Sequence, residues 1–320
     1  MPATIAGIPP PITPPPQRKA SSEMWVRVLG SAAGGGFPQW NCACPSCSAA
    51  RDGSRPCVPR LQSSIAVSAD RRQWFLVNCS PDIRSQMESF EELHPVAGQG
   101  TQVQAVLLTD AELDHSLGLL LMREGRGLEV HATESVHGTL TSGSGMLRTL
   151  EKYCPVKWKP VIPGVETQLG PGLSYRAFNV PTSKRTRFEG TASYGRVVGY
   201  RITDTTTDRS FVYLPGVQRL TPDILEEFQD CSALLIDGSF WRDDELARLN
   251  LADKTSRDMG HVPISGPGGS LEALSALGIR RKIYVHINNT NPILLDDSQE
   301  RLHLDRHGME VAVDGLELEI

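Results

Sequence analysis

The sequence has no apolar run near the roughly 20 residues that span a bilayer, and no excess of basic residues: 32 Lys and Arg stand against 37 Asp and Glu, a formal net charge of −5. The first absence predicts a soluble, cytoplasmic chain without membrane insertion. The second removes the electrostatic footprint that nucleic-acid binding needs. A secretory leader is also missing, because residues 1–23, "MPATIAGIPPPITPPPQRKASSE", hold no continuous apolar segment and their prolines interrupt any helix. That stretch reads as a disordered Pro-rich extension, followed by one folded domain over 24–320.

The seven cysteines lack the pattern of a disulfide framework: their number is odd, and Cys42, Cys44 and Cys47 fall within six residues. The run "CACPSC" instead offers three soft thiolates in one turn, which suits a tetrahedral structural zinc. The competing reading is three small buried cysteines. Spacing leaves the fourth ligand open among Cys57, His303, His307 and a residue near His286. The preceding "LGSAAGGGFP" lacks both G-x-x-x-x-G-K-[ST] and G-x-G-x-x-G, so it reads as a loop with close backbone packing rather than a phosphate cradle.

What is present is a series of short strand-like runs: 24–30, 64–69, 74–78, 103–109, then "LEVHAT", "LSYRAFNV", "RVVGYRIT" and "SFVYLPG", then 232–237, 282–288 and two terminal strands. Helices are expected over 80–90 with Ser80 as N-cap, over 116–125, from Thr221, and near 266–277 and 296–306. No internal repeat is visible. Strands in runs, with helices between the later ones, predict an α/β (α+β) domain of two sheets covered by helices.

Three predicted strands end in polar groups. Asp110, Glu112, Asp114 and His115 follow 103–109, Asp237 closes 232–237, and His286 lies near the end of 282–288. Ligands collect outside the carboxyl ends of strands in layered folds, so these ends can deliver Asp114, His115, Asp237 and His286 to one metal. Individually, such an Asp is often a turn-former and such a His a core residue. The acids at 110–114 are harder to dismiss, since carboxylates that close repel unless a cation or solvent relieves them.

"LTDAELDHSLGLL" resembles the metallo-β-lactamase superfamily signature H-x-H-x-D-H after a strand, with Asp110 and Glu112 at the two leading histidine positions and Asp114 and His115 at the last two. "LLIDGSF", "YVHINN" and "MGHVPIS" resemble the segments carrying the family's bridging aspartate (Asp237), a metal histidine (His286) and a site histidine (His261). Together with "VLGSAAGGGFPQWNCACPSC" and "NCSPDIRSQ", these motifs are similar to the B-protein family of pyrroloquinoline quinone (PQQ) biosynthesis over essentially everything from Met24 onward.

The resemblance implies a four-layer αββα sandwich and an enzyme. It departs from the wider superfamily at the first metal site, where the leading histidines are replaced and 173–200 contains no histidine. A two-metal hydrolase is therefore not expected. Two histidines with carboxylates and open positions suit ferrous iron. The implied activity is iron-dependent hydroxylation of the tyrosine ring in a peptide-derived Glu-Tyr precursor, with O2 as co-substrate and other PQQ biosynthesis proteins as candidate partners. A carrier role for the cofactor or its precursor toward the periplasm, and a superfamily hydrolase, are the alternatives. The metal set is Asp114, His115, Asp237 and His286, and the catalytic set is His261 as acid or base with Glu112 and Asp110 orienting a histidine or taking protons. Arg84 and Lys184 are candidates to pair with substrate carboxylates.

Overall fold

In the strand Ser210–Leu214, Phe211 and Tyr213 face one side and Val212 and Leu214 the other, and all are buried. A strand apolar on both faces has to be covered on both. The computed structural model, which describes residues 23–98, 100–188 and 194–320, covers it with a second sheet on one side and helices on the other. The expected Pro-rich extension lies, Glu23 excepted, outside the described residues.

One sheet holds β1 (Trp25–Gly30), β2 (Ser64–Ser68), β3 (Trp74–Val77), β4 (Val103–Leu107), β5 (Leu128–Ala132) and β6 (Val156–Pro160) in sequence order. The other holds β7 (Glu166–Gly170), β8 (Leu173–Asn179), β9 (Val198–Asp204), β10 (Ser210–Leu214), β11 (Ala233–Asp237), β12 (Arg281–Val285) and β13 (Met309–Val311). The final strand, β14 (Glu317–Glu319), crosses back to pair antiparallel with β1.

Between the sheets, Val26, Ile65, Phe75 and Leu107 meet Tyr175, Tyr200, Phe211, Leu235 and Val285. On the outer face of the first sheet, Trp74, Leu76, Val106 and Val130 pack with Ile83, Leu119, Val136 and Leu147 from helical segments. On that of the second, Val212, Leu234 and Tyr284 pack with Ile224, Leu271 and Leu304. Three apolar layers separate four structural ones, which is the expected αββα sandwich. Each of these buried side chains contributes roughly 1.5–3 kcal/mol by removal from water.

Several boundaries differ from expectation, each for a local reason. The helix expected over 80–90 spans Ile83–Glu88 with Asp82 at its N-cap. The chain before it is still tied to its neighbours, with Asn78 N on Leu107 O at 2.8 Å and Cys79 N on His115 O at 2.7 Å, so it cannot coil at Ser80. The helix expected over 116–125 is two single turns, Leu113–Ser116 and Gly118–Leu121. A Cβ on Gly118 would lie 2.2 Å from Ser80 O, so glycine is what lets this segment approach the β3 end. The strand expected over 282–288 stops at Val285, because His286 takes a left-handed φ of 54°. No described helix is long and apolar enough to cross a membrane.

Candidate metal centre

Past β4 the chain turns on Asp110. Its Oδ1 accepts Glu112 N at 2.9 Å, and its Oδ2 accepts Thr109 Oγ1 at 3.0 Å and His115 Nδ1 at 2.8 Å. Thr109 is itself held by the Asn78 side chain, whose Oδ1 accepts its backbone N–H at 3.0 Å and lies 3.1 Å from its hydroxyl oxygen. A carboxylate can only accept, so His115 donates to Asp110 through Nδ1, and Nε2 is the edge left to a metal, which would displace any proton held there. That Nε2 is buried without a hydrogen-bond partner, 3.8 Å from Asp114 Oδ2. A buried polar atom left without a partner in this way is costly unless a ligand meets it.

His286 arrives from the other sheet. Its left-handed turn is clamped by Ile287 N donating to Ser31 O and Ala33 N donating to Ile287 O, both at 2.9 Å. The ring sets Nδ1 at 2.9 Å from Ser239 Oγ and Nε2 at 3.2 Å from Asp114 Oδ2. Donor atoms of Asp114, His115 and His286 thus all lie within 4.8 Å of one another. The glycine-rich loop closes one side: a Cβ on Gly34 would stand 3.3 Å from the Asp114 carboxylate.

Asp237, at the end of β11, belongs to an adjoining group with His261 and His286 rather than to this trio. Its carboxylate accepts Val217 N and His261 Nδ1 on Oδ2, at 2.9 and 2.7 Å, and Ser239 N and Oγ on Oδ1, at 3.0 and 2.7 Å. Four donors use the carboxylate's capacity. Asp237 therefore orients His261, whose other ring edge faces the cavity.

The charges follow this pairing. Burial alone would lower the His115 imidazole, but Asp110 and Asp114 outweigh it and raise it to about 9. Burial disfavours charged Asp114 and Asp110, yet the neighbouring imidazoles hold both below the usual carboxylate range. His261 does the same for Asp237 against its burial. His286 is lowered, chiefly by burial. Clustered anionic oxygens and imidazole nitrogens of this kind form a cation's surroundings.

These groups open onto a cavity of about 620 Å³ that His115, His261 and His286 line together with Ser239, Gln218 and Lys184. Glu112 also faces it, but its carboxylate sits on Lys184 Nζ at 2.9 Å and Arg187 Nε at 3.7 Å, apart from the metal-facing donors. Arg84 lies on the exposed side of its helix and does not line the cavity. Sequence reasoning missed Ser239, Thr109 and Asn78. The only signal was their place beside the polar strand ends.

The second cluster forms at the start of the helix Pro45–Asp52, with Cys44 at the N-cap and Pro45 at the first turn. Cys42, Cys44 and Cys47 gather their sulfurs within 4.8 Å of one another, and among the described residues neither Cys57, His303 nor His307 joins them. Backbone N–H groups of Cys44 and Gln39 donate to Cys42 Sγ and Cys47 Sγ, both at 3.4 Å. The neighbour facing the thiols is Asn289, with Nδ2 at 3.3 Å from Cys47 Sγ and its backbone carbonyl 3.5 Å from Cys44 Sγ. It lies three residues beyond His286, within the region left open for a fourth ligand.

A fold of two facing mixed sheets with polar strand ends converging on one edge places the chain in a class. The family model described as Beta-lactamase superfamily domain matches residues 73–287. Coenzyme PQQ synthesis protein B of Methylococcus capsulatus is 42% identical over 92% of this chain and 99% of its own, and that of Azoarcus sp. is 43% identical over 93% and 100%. Zn2+-bound PqqB from Methylobacterium extorquens superposes with a TM-score of 0.85 at 38% identity, covering 92% of this chain and all of that one. A diphosphatase from the PhnP family shares the fold at a TM-score of 0.67 and 21% identity, over 93% of this chain and 97% of its own. The chain belongs to the coenzyme PQQ synthesis protein B family of the β-lactamase superfamily.

Proposed function

We propose that the protein acts in PQQ biosynthesis as a mononuclear iron oxygenase that hydroxylates the tyrosine ring of a peptide-derived Glu-Tyr precursor. One observation carries the reading: the unpartnered, buried His115 Nε2 stands with His286 Nε2 and the Asp114 carboxylate, a set of two imidazoles and one carboxylate opening onto a cavity. Such a set with free positions suits ferrous iron in oxygenases. The adjoining group of Asp237, His261 and His286 shares His286 with this trio, and its carboxylate already accepts four hydrogen bonds, while Asp110 is held on His115 and Glu112 on Lys184 and Arg187. That favours an oxygenase over a two-metal hydrolase, whose clamp needs both ions.

Ferrous iron held by Asp114, His115 and His286 would supply oxygen activation. The chain's own groups do the rest. Asp110 and Ser239 fix the Nδ1 edges of His115 and His286, so both Nε2 atoms face inward. Asp237 holds the Nδ1 proton of His261, leaving Nε2 to take or give a proton at the substrate phenol or ring. Zinc, named for the Methylobacterium extorquens relative, suits the softer Cys42, Cys44 and Cys47 here.

Anaerobic loading with ferrous iron, then oxygen, the dipeptide Glu-Tyr and an added two-electron reductant such as ascorbate, which reduces the second oxygen atom to water, should give product heavier by one oxygen atom, and His115→Ala should abolish it. Metal analysis should find about one iron beside about one zinc. Two non-thiolate metals per chain, with turnover of a phosphodiester instead, would overturn the assignment.

A further inference from the structure

Four bases, Lys184, Arg185, Arg187 and Arg196, line one wall of the cavity in a chain whose net charge is −5. Against them stands Glu112, bound to Lys184 and Arg187. Among the described residues, Arg185 and Arg196 form no ion pair with a carboxylate. The arm carrying three of these bases is fixed in place. Ser183 N donates to Gln218 Oε1 at 2.7 Å, and the Arg196 guanidinium donates to Lys184 O at 2.7 Å. The Phe188 ring fills the space over Gly143, where a Cβ would stand 2.9 Å from it. The Lys184 stem lies on Gly260, next to His261, at 3.3 Å from a Cβ placed there. A basic side chain is thereby held beside the histidine that faces substrate.

We infer that this wall reads substrate carboxylates, and that Glu112 is an internal competitor occupying the place one of them takes. The inference rests on the cavity being the substrate site. The ligand class is a small molecule with two or more carboxylates, since four cations and one resident anion leave positive charge for more than one. Glu112 and Lys184 are partly exposed, at 38% and 27% of the side chain, and an ion pair so placed is weak enough to exchange. Arginine forks then bind an incoming carboxylate through two parallel hydrogen bonds. Glu112 is on this account a specificity residue and handles no proton in the reaction.

The test is calorimetric binding to the iron-loaded, anaerobic protein, in which nothing turns over. Two probes are compared: Glu-Tyr, with two carboxylates, and Gln-Tyr-amide, with none. Glu-Tyr should bind about tenfold tighter or better, and Lys184→Ala and Arg196→Ala should each erase much of that preference. Glu112→Gln should tighten Glu-Tyr severalfold and leave Gln-Tyr-amide unchanged. Equal binding of the two probes, no measurable binding of Glu-Tyr, or a Glu112→Gln variant that binds Glu-Tyr as before while losing turnover, would each overturn the inference. Charge-dependent binding without oxygen transfer would instead count against the oxygenase alone.

Discussion

Ser239 Oγ lies 2.7 Å from Asp237 Oδ1, 3.0 Å from His261 Nδ1 and 2.9 Å from His286 Nδ1, so one hydroxyl sets three groups. Replacing it with alanine leaves the ligands intact but frees the His286 ring about its left-handed backbone. Groups that orient a metal histidine are typically worth 10–100-fold in metal affinity. We expect Ser239→Ala to lose about that much affinity for iron, read by competition with a coloured chelator, with a melting temperature close to that of the parent. Unchanged iron affinity would remove Ser239 from the positioning network. The residue shows how far the sequence could be read. That Asp114, His115 and His286 converge was legible because a strand end leading into metal-binding side chains is a local pattern. How the carboxylates divide among neighbours was not, since Asp110, Glu112 and Asp237 differ in their partners, and those partners (His115, Lys184 and His261) are fixed by the fold.

Among the elements, the helix Pro45–Asp52 and the segment after β12 depend on each other. The thiol cluster sits at the helix start, and its facing neighbour Asn289 belongs to the turn that carries His286. A metal held by Cys42, Cys44 and Cys47 would therefore brace the ligand turn as well as the helix. Cys44→Ser should release about one zinc per chain and lower the melting temperature by roughly 10 °C, the scale of losing a structural metal in a chain this size. It should also weaken iron binding through the loosened Asn289 turn. A variant that keeps its zinc and its melting curve would reduce the cluster to three buried cysteines. The central strands were legible as continuous apolar runs, as in β10 and β11, whereas the edge strands β6 and β7 were not expected, being only partly buried and carrying Lys157, Lys159, Glu166 and Gln168. Helix limits were less so: the β3 end stays hydrogen-bonded to its neighbours past Ser80, and no residue before Ser80 signals that tie.

At the scale of the whole molecule, the two sheets are built alike. In each, a run of antiparallel strands (β1 to β3, and β7 to β10) gives way to parallel pairs (β3 to β6, and β10 to β13). The sequence shows no repeat because two sheets need matching patterns of burial, not matching residues. The halves meet at the metal centre, Asp114 and His115 coming from one and His286 from the other, so stability and site geometry are linked. Glu245 tests the link from the second half. Nearly fully buried, it accepts Trp241 N at 2.7 Å and the Thr290 hydroxyl at 2.5 Å, tying the segment after β11 to the turn that follows His286. Burial pushes its carboxyl up to about 7 from 4.5, against those hydrogen bonds. A carboxyl raised in the folded state binds its proton more tightly there than when unfolded. Its contribution is thus fully present below about pH 4.5, falls as pH rises between the two values, and is gone above about pH 7. The shift corresponds to roughly 3 kcal/mol at most. Glu245→Gln removes this titration, so the urea midpoint of the parent should fall more steeply between pH 5 and pH 7 than that of the variant, the two approaching constant separation above about pH 7. Parallel profiles across that range would mean that Glu245 is ionised throughout and that its pocket admits the charge.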